Sequence, residues 1–454
     1  VRDHSQETAP VKSVDVSETA SSSAPVSARR VFGLAVPALG VLAAEPVYVL
    51  IDTAVVGHLG ALPLAGLALG GTLLSVLTTQ LTFLSYGTTS RTARLFGAGR
   101  RSDAVGEGVQ ASWLALIVGL LVLVLGELLA EPIALGLSGS ERVADVAADW
   151  LRIAVLGAPA ILFTMAGNGW MRGIQDTMRP LRYVLIGNVL SAVGCVLLVY
   201  PAGLGLSGSA LANVLGQYTG AVLFLRALLA ERVSLRPVRA VIREQLRMGR
   251  DLVLRSAGFQ ACFLSATAVA ARTSTEAVGA HQVVWQLWTF LSLVLDSLAI
   301  AAQSLVGAEL GAGRADGARV VGWRVTKYST LFGILLGIVF AAASQVLPLA
   351  FTSDAGVLGA IPSAWWFFVA LQPIAGIVFA LDGVLLGAGD AAFLRTATLA
   401  CAVLGYLPLI WISLALGWGL VGIWTGLTLF MVLRMLAVTL RARSGKWAVV
   451  GAPA

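Results

Sequence analysis

The chain has 454 residues, of which 57% are hydrophobic and only 12% charged, against a soluble norm of roughly 25% charged. Together with a mean hydropathy of +0.86, this excludes a soluble domain and describes an integral membrane protein. A formal net charge of +7 and a pI near 9.7 raise nucleic acid as a partner, a reading that the placement of the basic residues removes.

Residues 1–28 are rich in Ser, Thr, Val and Ala and hold no apolar segment. They are therefore expected to be a disordered cytoplasmic tail and not a signal peptide. Beyond them, apolar runs of the ~20 residues that cross a bilayer as a helix recur along the chain. They place twelve transmembrane helices at 31–56, 63–91, 109–130, 147–170, 181–201, 206–228, 252–272, 280–307, 325–347, 360–386, 396–417 and 419–440. The runs are continuous and do not alternate, which argues against a membrane β-barrel. Fifty glycines spread through them suit close packing of membrane helices.

Between the spans, every Lys and Arg except Arg142, Arg152 and Arg272 falls on the N-terminal side of the membrane or at a helix end facing it. This positive-inside asymmetry puts both termini in the cytoplasm and explains the basic pI without nucleic acid. The segment 226–250 carries seven arginines: Arg226, Arg232, Arg236, Arg239, Arg243, Arg247 and Arg250. The four-residue recurrence of Arg239, Arg243 and Arg247 suits an amphipathic helix on the inner leaflet, or charges that only fix topology.

The chain is also written twice. Gly97 and Gly311, Asp176 and Asp390, Pro159 and Pro373, and Gly208 and Gly422 are each separated by the same 214 residues, within echoes such as FGAGR and LGAGR or GIQD and GAGD. Six helices per copy is an even number, so the copies enter the membrane in the same direction and are related by a pseudo-two-fold axis along its normal. The expected units are the tail 1–28, a bundle at 29–228, a basic linker at 229–250, a second bundle at 251–441 and a cytoplasmic tail at 442–454. A cavity between two such bundles is the architecture of alternating access.

Ionisable groups inside membrane helices are costly and tend to serve ions or substrate. Glu45 and Asp52 lie seven residues apart on one face of the first span, with Pro46 between them as a candidate hinge. Asp52 is read as a proton carrier or, alternatively, as an acid held by a helix-to-helix hydrogen bond. Asp296 and Asp382 are candidates for cavity function or structural pairing, and Glu127 is expected at the interface. His58 and His281 fall at outer span ends and read as interfacial hydrogen-bonding groups. Tyr48, Gln80, Tyr86, Asn188, Asn213, Gln260, Gln282 and Trp285 are candidate cavity residues. Cys195, Cys262 and Cys401 lie in spans without metal spacing and read as packing residues. A phosphate loop is missing from the sequence, so ATP is not the expected energy source, and no nucleophile–base or metal constellation assembles.

These residues resemble a known family. AEPVYVLIDTAVVGHLG in the first span, GAHQVVWQLWTFLSLVLDSLAIAAQSLVGAELGAGR in the seventh-to-eighth region and LDGVLLGAGD in the tenth span look like the multidrug and toxic compound extrusion (MATE) transporters of the DinF-like branch, over roughly residues 30–440. The resemblance implies export of organic, often cationic or amphiphilic, compounds in exchange for H+ or Na+, with Asp52 as the coupling carboxylate. Where DinF-like relatives carry Asn-x-x-Asn and then Asp in the fifth helix, this chain has Asn188, Ser191 and Cys195. Losing that acid disfavours a Na+ site, since a hard cation wants several oxygens, and favours H+. The expectation is therefore a cofactor-free, monomeric exporter in a bacterial cytoplasmic membrane, with a small organic cargo and membrane lipids as its partners. The alternatives are Na+ coupling and a flippase for lipid-linked saccharides. The flippase needs an arginine-rich cavity, and the sequence places no arginine near mid-span. A lipid-processing membrane enzyme would show metal or nucleophile motifs, which the sequence does not display.

Overall fold

The computed structural model describes residues 27–452, and the expected tail 1–28 lies outside them but for its last two residues. Ser27 caps the first helix by accepting from the Arg30 amide. The first half contains α1 (Ala28–Gly57), α2 (Ala61–Gln80), α3 (Phe83–Gly97), α4 (Arg101–Ser138), α5 (Glu141–Val155), α6 (Ala158–Gly173), α7 (Met178–Val199) and α8 (Gly205–Ala230). The second contains α9 (Arg239–Thr273), α10 (Thr275–Gly311), α11 (Ala315–Ala342), α12 (Ala355–Ala360), α13 (Pro362–Gly387), α14 (Ala391–Cys401), α15 (Leu407–Ala415) and α16 (Gly419–Ser444). A π-helical turn, Ala402–Tyr406, joins α14 to α15. Among the described residues there is no strand.

Ten of these segments are long and apolar enough to cross a membrane, and α5 with α6, bent by 50° at their junction, makes an eleventh. The 26-residue α8 falls outside that set but lies along α7 and against α5 and α6, in the place of the expected sixth span. Several helices outrun the bilayer: α4, with 38 residues, is about 57 Å long at ~1.5 Å per residue. α9 is unbroken from Arg239, so the basic stretch at 239–247 forms the first turns of the seventh span and not a separate surface helix.

The repeated motifs are helix stops. Gly99 and Gly313 take φ of 77° and 78°, a left-handed conformation open to glycine at little cost. The next amide then reaches back, Arg100 to the Leu95 oxygen at 3.0 Å and Arg314 to the Glu309 oxygen at 2.9 Å, the closing bond of a Schellman turn. FGAGR and LGAGR are thus one turn used twice.

The two halves meet at one end of the molecule. One hydrophobic core joins Val31, Leu34 and Phe83 of the first half to Leu298, Leu305 and Leu310 of the second. Toward the other end the cores separate, one formed by residues between Cys262 and Met431 and another by residues between Val56 and Ala210. At the shared end Gly97 lies against the backbone of Ala308, and Gly311 against the backbone of Arg94. Residues 94 and 308 are themselves 214 apart, so the two contacts exchange under the repeat operation. This is the reciprocal contact of an isologous interface, made within one chain.

The segment after α16 is no loose tail. Trp447 is buried, the Gly451 amide donates to the Leu310 oxygen at 3.0 Å, and the Arg94 guanidinium donates to Gly451, Val449 and Ala388 oxygens at 3.2, 3.0 and 2.9 Å. A strap from the second half therefore crosses the seam and holds α3 of the first.

Candidate transport site

Each half encloses a cavity. The first, of about 630 Å³, lies among α1, α2, α6, α7 and α8, and its walls include Glu45, Tyr48, Asp52, Asn168, Asn188 and Asn213. Asp52 is only 4% exposed. One of its oxygens accepts from the Ser209 hydroxyl at 2.6 Å and from the Cys195 thiol at 3.2 Å. Trp150 in turn donates to Ser209 at 3.4 Å. No cation pairs with this carboxylate among the described residues; both its partners are neutral. The buried Tyr48 hydroxyl and side-chain atoms of Asn188, Ser191 and Asn213 have no hydrogen-bond partner and offer a polar lining to an occupant. Glu45 lines the same cavity from the more open face of α1. Pro46 sits within an α1 that is continuous from Ala28 to Gly57.

The second cavity, of about 280 Å³, is lined by Arg255, Phe259, Gln260, Trp285, Asp382 and Arg434 among others, with Thr79 reaching in from the first half. One oxygen of Asp382 accepts from both Arg255 and Arg434 at 2.5 Å. The Arg434 guanidinium, 4% exposed, also lies over the Phe259 ring at 4.8 Å. Asp382 is thus structurally paired, and the expectation of no arginine deep in a span is corrected. Arg434 enters from just past the middle of α16, and its long side chain carries the charge inward.

Asp296 stands apart from both cavities and accepts a short hydrogen bond from the Tyr86 hydroxyl across the seam. The buried Arg172, which donates to Ser85 at 3.2 Å, lies within electrostatic reach of it. Gln282 is exposed and lines neither cavity, so it is withdrawn as a cavity residue. His281 is also corrected: α10 starts earlier than expected, and the imidazole is 3% exposed, stacked on Trp285 at 5.9 Å. His58 ends α1, with Nδ1 2.7 Å from the Ala54 oxygen. Glu127 is half-buried on α4 outside both cavities, and Gln80 is partly buried near the seam. All three cysteines are buried, but Cys195 does more than pack, because it donates to Asp52.

Sequence reasoning missed Ser209, although it follows directly on the GLGLSG echo. It also missed the Arg91–Glu107 ion pair at 2.7 Å, which Gln245 of α9 joins at 2.9 Å.

The family model described as MatE matches the chain twice, over residues 37–197 and 252–412. The chain belongs to the MATE family. It is 34% identical over 435 residues to "Protein DETOXIFICATION 44, chloroplastic" of Arabidopsis thaliana, covering 92% of this chain and 83% of that one. It is 30% identical over 440 residues to "DNA damage-inducible protein F" of Escherichia coli (strain K12), covering 93% and 94%. The fold is shared with the solved "Outward-facing conformation of a multidrug resistance MATE family transporter of the MOP superfamily", at a TM-score of 0.84 and 20% identity, over 92% of this chain and 96% of that one. This MATE protein is therefore a multi-pass membrane transporter and not an enzyme, and the two matches of the family model fall one on each of its halves.

Proposed function

We propose that this MATE protein is an H+-driven exporter of organic compounds working by alternating access, with Asp52 as the group that carries the proton. The observation behind this is a carboxylate buried beside neutral donors alone. An arginine partner would fix the charge, whereas Ser209 and Cys195 tolerate both protonation states of Asp52. Neutralising Asp52 removes the charge that would hold a cationic cargo in the first cavity, so proton entry and cargo release are linked. A proton moving down 100 mV supplies ~2.3 kcal/mol. Na+ is less well served, since a hard ion wants several oxygen ligands and one neighbour here is sulfur. Among the described residues, no group of three or more His, Cys, Asp or Glu is placed to hold a metal.

In this reading the seam end, bearing Arg91, Arg94, Arg100 and Arg314, faces the cytoplasm by the positive-inside rule. The cleft then opens outward, both termini are cytoplasmic, and Pro46 lets α1 bend as Asp52 changes charge. The remaining parts of the proposal are a bacterial cytoplasmic membrane, a monomer, no ATP, and the two bundles at 29–228 and 251–441. The arginines of the second cavity favour one other reading, a flippase for anionic amphiphiles. Efflux of a fluorescent organic cation from reconstituted vesicles, under separately imposed pH and Na+ gradients, tests the proposal. Transport driven by the pH gradient and lost in Asp52→Asn supports it. Transport driven only by Na+, or undiminished in Asp52→Asn, overturns it.

A further inference from the structure

The two cavities have opposite polarity. The first holds two acids, Glu45 and Asp52, and no basic residue, whereas the second holds two guanidinium groups and one carboxylate. Asp296 lies within electrostatic reach of Arg255 and Asp382 but also of the buried Arg172, so the wider group still has one more guanidinium than carboxylate. The second cavity therefore keeps one uncompensated positive charge inside the membrane, an arrangement expected to serve a ligand.

We infer that the second cavity is a binding site for an organic monoanion carrying an aromatic or apolar body. Asp382 takes one bond from each arginine, which leaves most of their N–H groups unused. The Nε of Arg255 and the second oxygen of Asp382 are buried without partners. Arg255 is the more accessible of the pair, with its side chain 17% exposed against 4% for Arg434. Arg434 is packed over aromatic rings and orients Asp382, while Arg255 is the group that faces an incoming anion. A guanidinium presents a planar fork that matches a carboxylate or phosphate. Phe259, Phe263, Trp285, Trp288 and Phe430 make up the apolar wall, with Phe263 and Trp285 ring centres 4.5 Å apart. At about 280 Å³ the space is at the small end of ligand pockets, suited to one or two rings with a single anionic group. The anion is either a free organic acid or the headgroup of an anionic lipid, since the same chemistry recognises both.

The inference rests on the reading that both cavities open on the path of the cargo. Its test needs no gradient, so its failure leaves proton coupling at Asp52 untouched. Dansylglycine is titrated into the full-length protein in phosphatidylcholine nanodiscs, and binding is read as energy transfer from the protein's tryptophans, of which Trp285 and Trp288 line the cavity, to the dansyl group. The uncharged amide of dansylglycine is the control. The acid is expected to bind at least about tenfold more tightly than the amide, the effect of one charge-assisted hydrogen bond. Arg255→Gln is expected to erase that preference. Gln260→Arg in the same background returns a guanidinium to the cavity and is expected to restore it, which a merely structural role of Arg255 does not predict. If Arg255→Gln does not fold, Gln260→Glu serves instead, placing a carboxylate in the cavity and abolishing the preference. Equal binding of acid and amide by the wild type, or a preference that survives Arg255→Gln or Gln260→Glu, overturns the site. Repeating the titration in phosphatidylglycerol nanodiscs identifies the source: loss of the signal there marks a lipid headgroup as the occupant, and an unchanged signal marks a free organic acid.

Discussion

In the proposed alternating-access cycle the seam has to part, and the glycine pair at its centre sets how tightly it closes. A methyl group added at Gly97 would lie 1.9 Å from the Ala308 oxygen, and one at Gly311 1.8 Å from the Arg94 oxygen. Neither obstacle is a side chain that can swing aside; both are backbone. Contacts of this kind below 3.0 Å are essentially never seen, so α3 and α10 must move apart by at least about 1 Å. Overpacking of this sort costs about 1–3 kcal/mol. The cost arises only while the seam is closed, so Gly97→Ala shifts the ratio of parted to closed molecules by about 5- to 150-fold. Spin labels at Ser102→Cys and Asp316→Cys, exposed positions 214 residues apart at the seam end, report the separation by pulsed electron–electron distance measurement. The native cysteines are buried, which keeps the labelling selective. Gly97→Ala and Gly97→Ala with Gly311→Ala are expected to enrich the long distance. The control is Gly71→Ala, where an added methyl group meets no atom within 4 Å. An unchanged distribution in the double variant, or an equal change in the control, would refute this account of the seam.

Other consequences can be checked on the same preparations. A stop after Ser444 removes the strap and two of the carbonyl groups that Arg94 uses, and is expected to lengthen the Ser102–Asp316 distance without disturbing helix content by circular dichroism. Glu107→Gln leaves Arg91 facing a neutral amide in a site where Glu107 is only 5% exposed; a loss of about 3 kcal/mol is expected from the unpaired charge. Asp316→Asn, at a pair that is 94% and 47% exposed, is expected to change stability by less than about 1 kcal/mol. Thermal unfolding in detergent compares the two variants. Cys195→Asp puts a second carboxylate in place of the thiol that now lies 3.2 Å from Asp52 and is expected to make transport Na+-dependent in the vesicle assay. No response to Na+ in that variant would show that the fifth-helix residue does not select the ion.

The architecture was legible in the sequence because it rests on coarse signals. Twelve apolar runs and a 214-residue echo needed no side-chain detail, and the repeated glycines proved to be repeated helix stops. The shared face of Glu45 and Asp52 was legible as well, since acids seven residues apart on a helix point the same way, and both line the first cavity. What escaped depends on reach and on tertiary contact. Arg434 was counted among the cytoplasmic charges from the position of its Cα, but a guanidinium stands several bonds away and goes where Asp382 and Phe259 receive it. His281 was placed at the surface because span ends are uncertain by a turn, and one turn decides whether an imidazole is interfacial or packed on tryptophan. Cys195 looked like the loss of an acid, and only the packing of α7 on α1 shows it as a partner of Asp52. The final residues read as a tail because nothing in a short segment of mostly small and apolar residues announces the carbonyl groups it will offer to Arg94.

The central claim is that cargo and a proton compete through Asp52. It is tested most directly by adding an exported organic cation to purified protein in weakly buffered detergent solution and recording proton release with a pH indicator. Binding is expected to release up to one proton per molecule from the wild type, whereas Asp52→Asn, which mimics the protonated state, is expected to bind the cation more weakly and to release none. Binding without proton release by the wild type, or equal release by Asp52→Asn, would contradict it.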